Sequence, residues 1–218
     1  MVIGFSLTLV ASGILLIAER RVADAQARLG RQSALLESGV VIGPGPNATP
    51  LPLDSRPAAL LADALFLARA AQFSHDTRQR KALLDRAATE LAVIVNARPH
   101  WGEAWVMIAF VEALREGEDA PSARYALERS YAETPYLPHA VVWRVAYSLR
   151  HWNSFSATTQ EKILNEDVWL MHSGRDAGVH KSMMILTRQS PAYRRYMIRW
   201  LQTRQGDADF RPVKGLTP

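Results

Sequence analysis

The chain contains no cysteine among its 218 residues, and this absence excludes several kinds of chemistry. Disulfide bonds, thiolate catalysis, cysteine-ligated zinc and iron–sulfur clusters all require that side chain. The excess of positive over negative charge is also small, and the net charge is only +5. So small an excess does not indicate a dedicated nucleic-acid binder. Apolar residues make up 48% and charged residues 22%, a balance that is typical of a globular protein.

The sequence also lacks the motifs that mark common active sites. It has no His-Glu-x-x-His, no Gly-x-Ser-x-Gly and no Rossmann glycine fingerprint. The six histidines form no i, i+4 pair, so we predict no metal site and no cofactor. Asp207 and Asp209 resemble the paired carboxylates of sugar transferases, but a solvated tail is the simpler interpretation because no nucleotide-binding fold precedes them. We therefore predict that the protein is not an enzyme.

The first 18 residues form an uncharged apolar run. As a helix this run would be about 27 Å long, at the short end of what crosses a bilayer core. No basic residue precedes it, which argues against a cleaved signal peptide, and its all-round apolarity argues against a buried core helix. We expect a retained single-pass membrane anchor. Arginines after the run favour a cytoplasmic domain, whereas bacterial N-terminal anchors more often leave it outside, so its side stays open.

Composition divides the chain into four segments. Residues 19–37 are rich in alanine, arginine and leucine and extend the anchor helix, which makes 1–37 the first segment. Residues 38–57 hold five of the twelve prolines and predict a semi-extended linker. Residues 58–204 carry a helical pattern with no sustained period of two, and residues 205–218 form a polar tail. The sequence thus predicts an all-α protein with an N-terminal transmembrane helix and a solenoid of helical hairpins.

Apolar periodicity and local start and stop signals predict eight helices joined by short turns. Pro121 after Asp119 marks a start, Thr158 and Glu161 form a capping-box pattern, and Gly117 marks a stop. The predicted helices are 58–73, 78–97, 101–116, 120–134, 139–151, 158–173, 176–188 and 191–204.

Part of this helical region repeats with a period of 36 residues. The residues that recur are Ala87, Leu91 and Pro99, followed by Ala123, Leu127 and Pro135. Each set belongs to a helix that ends at a proline, before a short turn and a new helix that opens with an aromatic residue. The pattern resembles the tetratricopeptide repeat, a helix–turn–helix of about 34 residues. That resemblance implies that Trp105, Ala109, Leu127 and Pro135 are packing residues.

The wider layout resembles a family of small membrane-anchored proteins that are encoded with bacterial exopolysaccharide and capsule biosynthesis enzymes. The resemblance depends on the anchor, on the turn at 99–105 with its Glu-Ala-Trp ending, and on the helix end at 149–152 before the capped helix at Thr158. It implies a tetratricopeptide-like accessory or scaffolding protein of polysaccharide biosynthesis or export, without catalysis.

Two sets of residues are candidate binding positions. Stacked helix pairs make an extended groove, and we expect this groove to hold a partner protein or peptide beside the membrane. The candidate groove residues are Glu103, Glu112, Arg115, Arg144 and Tyr147. The candidate lipid-facing residues, in a basic C-terminal helix with interleaved aromatics, are Arg194, Arg195 and Arg199. Nucleic acid is not an expected partner.

Two other classes of function stay open. A structural or assembly subunit of a cell-envelope machine would expose a large apolar patch. An enzyme that acts on glycan or lipid-linked sugar would need a deep pocket with converging carboxylates or histidines. The sequence does not determine the identity of the partner or the oligomeric state.

Overall fold

The computed structural model describes residues 51–138 and 140–172, together with Ala23, Ala27, Arg194 and Ile198. In these ranges every regular element is a helix and no strand occurs, which confirms the predicted all-α class. The elements in chain order are α1 (Pro57–Phe73), α2 (Thr77–Ala97), α3 (Gly102–Glu116), α4 (Pro121–Glu133), α5 (Val141–Arg150), a 3₁₀ turn (Trp152–Ser154) and α6 (Ala157–His172).

The six predicted helices in this part of the chain are all present, with ends within two residues of those predicted. The short 3₁₀ turn was not predicted. The predicted anchor at 1–18 lies outside the described residues, as do residues 38–50 of the predicted linker and the predicted helix at 176–188. Of the helix predicted at 191–204, only Arg194 and Ile198 are described, and both are helical. Within the described ranges, no helix has both the length and the apolarity needed to cross a bilayer.

The start of α6 differs from the predicted capping box. The backbone N–H of Thr159 donates to the hydroxyl of Ser156 at 3.3 Å, so Ser156 is the residue that caps the helix. Thr158 already lies inside α6, which begins at Ala157. Serine and threonine are both good capping residues, so the composition of this segment does not distinguish them. The path of the backbone decides which hydroxyl faces the free N–H groups.

The end of α3 follows the prediction. Gly117 has a φ of +101°, and its N–H donates to the carbonyl of Ala113 at 3.1 Å. A Cβ added there would meet no atom within 4 Å, so the penalty for a side chain is conformational. We expect Gly117→Ala to lower the free energy of unfolding by about 1–3 kcal/mol in urea denaturation. Glu118→Ala, in the same exposed turn, is the control, and equal midpoints for the two variants would contradict the expectation.

The chain divides into two compact units, Met1–Ala123 and Arg124–Pro218, and the boundary falls inside α4. In the first unit α1 packs against α2, and α3 packs against both. The α1 face that enters this core is small, which lets the neighbouring helices approach closely; its fully buried alanines are Ala59, Ala64, Ala68 and Ala71. In the second unit α5 packs against α6, and Val145 on α5 and Ile163 and Leu164 on α6 are fully buried.

The residues assigned to the tetratricopeptide-like repeat have mixed environments. Ala109 and Leu127 are fully buried, as expected of packing residues. Trp105 is half-buried, and its indole Nε1 donates to the carbonyl of Pro99 at 2.7 Å. This hydrogen bond therefore stabilises the turn between α2 and α3. The solenoid arrangement itself stays a prediction.

Candidate functional site

The five predicted groove residues have different surroundings. Arg144 is 0% exposed and Tyr147 is 1% exposed, so the expectation that these two side chains face a partner is wrong. Glu103 and Glu112 on α3 are half-buried, and Arg115 at the end of α3 is exposed. The three α3 residues therefore keep an accessible surface, and only they stay candidates for contact with a partner.

Arg144 is buried because the second unit satisfies every one of its donors. Its Nε donates to Glu166 Oε2 at 2.7 Å, and its Nη2 donates to Glu166 Oε1. Nη1 donates to the Ser130 hydroxyl and to the Thr134 carbonyl, each at 2.9 Å, and Nη2 also donates to the Pro135 carbonyl at 2.7 Å. A guanidinium has five N–H groups, and all five are used here. None is left for a ligand, so this cluster is structural.

Other groups enclose this ion pair. The ring centroid of Tyr131 lies 4.0 Å from Arg144 Cζ, a cation–π contact. Glu166 Oε1 also accepts the backbone N–H of Leu137 at 3.0 Å. Burial raises the pKa of Tyr131 well above its ordinary value, and it raises the pKa of Glu166 against the opposing charge of Arg144. Hydrogen bonds from this ion pair therefore link the segment after α4 to Arg144 on α5 and Glu166 on α6.

A second buried group lies where α1 packs against α2. Glu90 on α2 is 0% exposed and Asp63 on α1 is 4% exposed. Arg86 Nε donates to Glu90 Oε1 at 2.6 Å, and Arg86 Nη2 donates to the carbonyl of Leu51. Burial raises the pKa of Glu90 to about 7, the charge of Asp63 also raises it, and Arg86 opposes both. Glu90 therefore changes its charge near neutral pH.

An open cleft of about 500 Å³ lies in the first unit, where the start of α2 meets the end of α3. One side of α2 forms its wall, with Thr77, Arg80, Lys81, Leu84 and Asp85. The remaining lining residues are Ser74, His75, Leu114, Arg115 and Glu116. One predicted groove residue, Arg115, thus lines the cleft, which sequence analysis did not otherwise find.

The carboxylates that line this cleft already have partners. Asp85 accepts from Lys81 Nζ at 2.6 Å and from Arg115 Nη2 at 3.3 Å. The hydrogen bond from Lys81 is the main reason that the pKa of Asp85 is lowered, although partial burial opposes it. Glu116 accepts from the Ser122 hydroxyl at 2.9 Å. These acids therefore act as partners within the protein.

The cations of the cleft are less fully used. Arg80 Nη2 donates to the Leu114 carbonyl at 3.1 Å, and no other acceptor within the described part of the chain contacts this guanidinium. Lys81 donates only to Asp85 among the described residues, and its side chain is 76% exposed. An ammonium has three N–H groups and a guanidinium has five, so most donors of both residues have no partner among the described residues. The cleft therefore offers donors to a ligand.

The other predicted sites are only partly covered. Arg194 is helical and exposed, whereas Arg195 and Arg199 lie outside the described residues. No group of three or more metal-ligating side chains occurs in the part of the chain that the structure describes.

Sequence analysis missed the buried acids, although one signal pointed to them. Glu90 lies on the apolar stripe of α2 beside Leu91 and Ile94, and a charged residue on such a stripe indicates a buried, paired group. The cleft had no such signal, because it depends on the approach of α2 and α3. Comparison with protein-family models, with curated proteins and with solved structures finds no match to this chain, so the functional conclusion depends on the geometry described above.

Proposed function

We propose that the protein is a non-catalytic scaffold, tethered to the bacterial inner membrane, that binds a segment of a partner protein in the cleft between α2 and α3. The observation that carries this proposal is the cleft itself. Its volume of about 500 Å³ lies within the range of known binding sites. The half-buried Leu114 supplies apolar surface, while Arg80 and Lys81 supply hydrogen-bond donors. A short peptide segment fits such a site better than a whole domain.

The use of the charged groups supports binding over catalysis. Asp85 holds Lys81 and Arg115, so this carboxylate is a structural acceptor and a poor proton donor at neutral pH. The buried Arg144–Glu166 pair has no donor free for a substrate. His75 also lines the cleft, but it has no hydrogen-bond partner among the described residues, so no carboxylate orients it as a general base.

The tether and the pathway extend this proposal. The uncharged run at 1–18 would hold the helical units beside the membrane and raise their effective concentration near a membrane partner. The resemblance to accessory proteins of exopolysaccharide and capsule biosynthesis makes an enzyme or exporter of that machinery the expected partner.

Site-specific cross-linking tests the proposal on the full-length protein in native membranes. A photoreactive benzoylphenylalanine at His75, an exposed residue that lines the cleft, should form one discrete adduct. The same group at Asn96, exposed near the other end of α2, is the matched control and should form none. Mass spectrometry of the cross-linked peptides identifies the partner. Equal adducts at both positions, or no adduct at His75, would contradict binding in the cleft.

The identity of the partner separates the remaining alternatives. A polysaccharide synthase, flippase or export protein would support the accessory role. Another subunit of an envelope machine, recovered in fixed ratio to this chain, would favour a structural or assembly role.

A further inference from the structure

We infer that the partner segment is acidic: it places carboxylates on Lys81 and Arg80 and one apolar side chain on Leu114. This inference rests on the proposed function and adds the chemistry of the ligand to it. Its basis is a mismatch between donors and acceptors within the cleft, and the polarity of the helix that forms its wall.

The hydrogen bonds of the cleft leave donors in excess. Asp85 accepts two hydrogen bonds and Glu116 accepts one, so the acids are engaged from within the unit. Arg80 uses one of its N–H groups within the described residues, and so does Lys81. A ligand that brings oxygen acceptors satisfies these donors, and a carboxylate pairs with a guanidinium through two parallel hydrogen bonds. Asp85 and Glu116 could accept further hydrogen bonds, but three cations line the cleft against these two carboxylates, so an acceptor ligand is favoured over a donor ligand.

The start of α2 concentrates positive charge near the cleft. Arg78, Arg80 and Lys81 lie in the first turns of this helix, and its first turn contains no acidic residue. The N-terminal end of a helix already carries partial positive charge, so cations there add to the potential and cost stability. The carboxylate before the helix, Asp76, is occupied because it accepts the backbone N–H groups of Arg78 at 2.8 Å and Gln79 at 3.2 Å. A negatively charged ligand offsets this cost when it binds.

The shape of the cleft favours a peptide over a membrane surface. Leu114 lines the cleft and is half-buried, whereas Leu84 on the α2 wall is only 3% exposed and is already covered by its neighbours. A flat layer of lipid headgroups would meet the exposed Lys81 and leave Leu114 uncovered. A peptide side chain can enter the cleft and cover the exposed part of Leu114, which contributes about 25 cal/mol for each Å² of apolar surface buried.

Fluorescence anisotropy with two labelled peptides tests the inference on the full-length protein in phosphatidylcholine nanodiscs. One peptide carries glutamates on both sides of a leucine, and the other carries glutamines in their place. The glutamate peptide should bind about tenfold more tightly at low salt, and the preference should shrink at high salt as the charges are screened. Equal binding of the two peptides would overturn the inference.

A matched pair of variants locates the binding. Lys81→Gln removes an exposed ammonium and should weaken binding of the glutamate peptide about two- to fivefold. Arg98→Gln makes the same change of charge at the other end of α2, where the guanidinium lies 5.4 Å from the Trp101 ring centroid, and should leave binding unchanged. Equal losses in the two variants would show a general charge effect and would overturn the assignment to the cleft.

Two outcomes separate this inference from the proposed function. If the adduct at His75 forms but the glutamate peptide does not bind, the cleft holds a partner that is not acidic, and only the inference falls. If neither occurs, both fall. Nanodiscs that contain phosphatidylglycerol test whether anionic lipid competes with the peptide. If this lipid abolishes peptide binding and Lys81→Gln restores it, lipid headgroups occupy the cleft. That result would overturn the peptide inference.

Discussion

Arg144→Met is expected to lower the free energy of unfolding of the second unit by about 3–5 kcal/mol. The substitution removes the partner of Glu166 and leaves a carboxylate with 0% exposure in a site built for an ion pair. It also frees the carbonyls of Thr134 and Pro135, which otherwise accept from the guanidinium. An unpaired buried charge is far more costly than the loss of the attraction itself. The effect should therefore exceed that of any exposed ion pair in this chain.

Urea denaturation of the full-length protein, followed by helical circular dichroism, measures this effect. Arg129→Gln is the matched control, because it breaks a pair between Arg129 and Glu133 whose arginine is 36% exposed, and its cost should stay below about 1 kcal/mol. The double variant Arg144→Met with Glu166→Leu should recover part of the loss, since it leaves no unpaired charge. A double variant that is no more stable than the single one would contradict this explanation.

Glu90→Gln is expected to stabilise the first unit at pH 8 and to leave it unchanged near pH 4.5. The pKa of Glu90 is raised from 4.5 to about 7 in the folded protein, so the fold binds this proton more tightly than the unfolded chain does. That stabilisation is complete below the unfolded pKa of 4.5 and is lost as the pH rises through 7. Glutamine mimics the protonated form at every pH. We expect a difference of about 3 kcal/mol at pH 8, which is what a rise in pKa from 4.5 to about 7 corresponds to, and the opposing effect of Arg86 is already contained in that pKa.

Thermal unfolding of wild type and variant across this pH range checks the sign. The two curves should converge at the acidic end and separate as the pH passes neutrality. Glu118→Gln, which changes an exposed carboxylate in the turn after α3, should show no such separation. A Glu90→Gln variant that is less stable than wild type at pH 8 would show that the ion pair with Arg86 outweighs the burial of charge.

The predicted helix ends agree closely with the structure because their causes are local. Proline at the start of α4 and glycine after α3 act through the backbone of a few residues, and neither depends on distant contacts. The cap of α6 was misassigned for a related reason: Ser156 and Thr158 are both suitable caps, and only their three-dimensional positions distinguish them.

The interpretation of polar residues was less successful, because it depends on partners far along the chain. Arg144 was predicted to line the partner groove, because it lies on or near the first helix of a repeat unit. Its partner Glu166 lies 22 residues away in the sequence, and no local pattern in either segment predicts that the two residues pair. The cleft residues Arg80 and Leu114 are 34 residues apart and come together only when α2 packs against α3. Long-range pairs of this kind leave no periodic pattern.

The order and the ends of the helices, the all-α class and the exclusion of cysteine chemistry follow from the sequence alone. Each depends on composition or on residues within one or two helical turns, where steric and hydrogen-bonding preferences act directly. The burial of Arg144 and Glu90, and the donor-rich cleft beside Lys81, were decided only by tertiary structure. The environment of a charge depends on which helices enclose it, and that depends on the packing of whole faces.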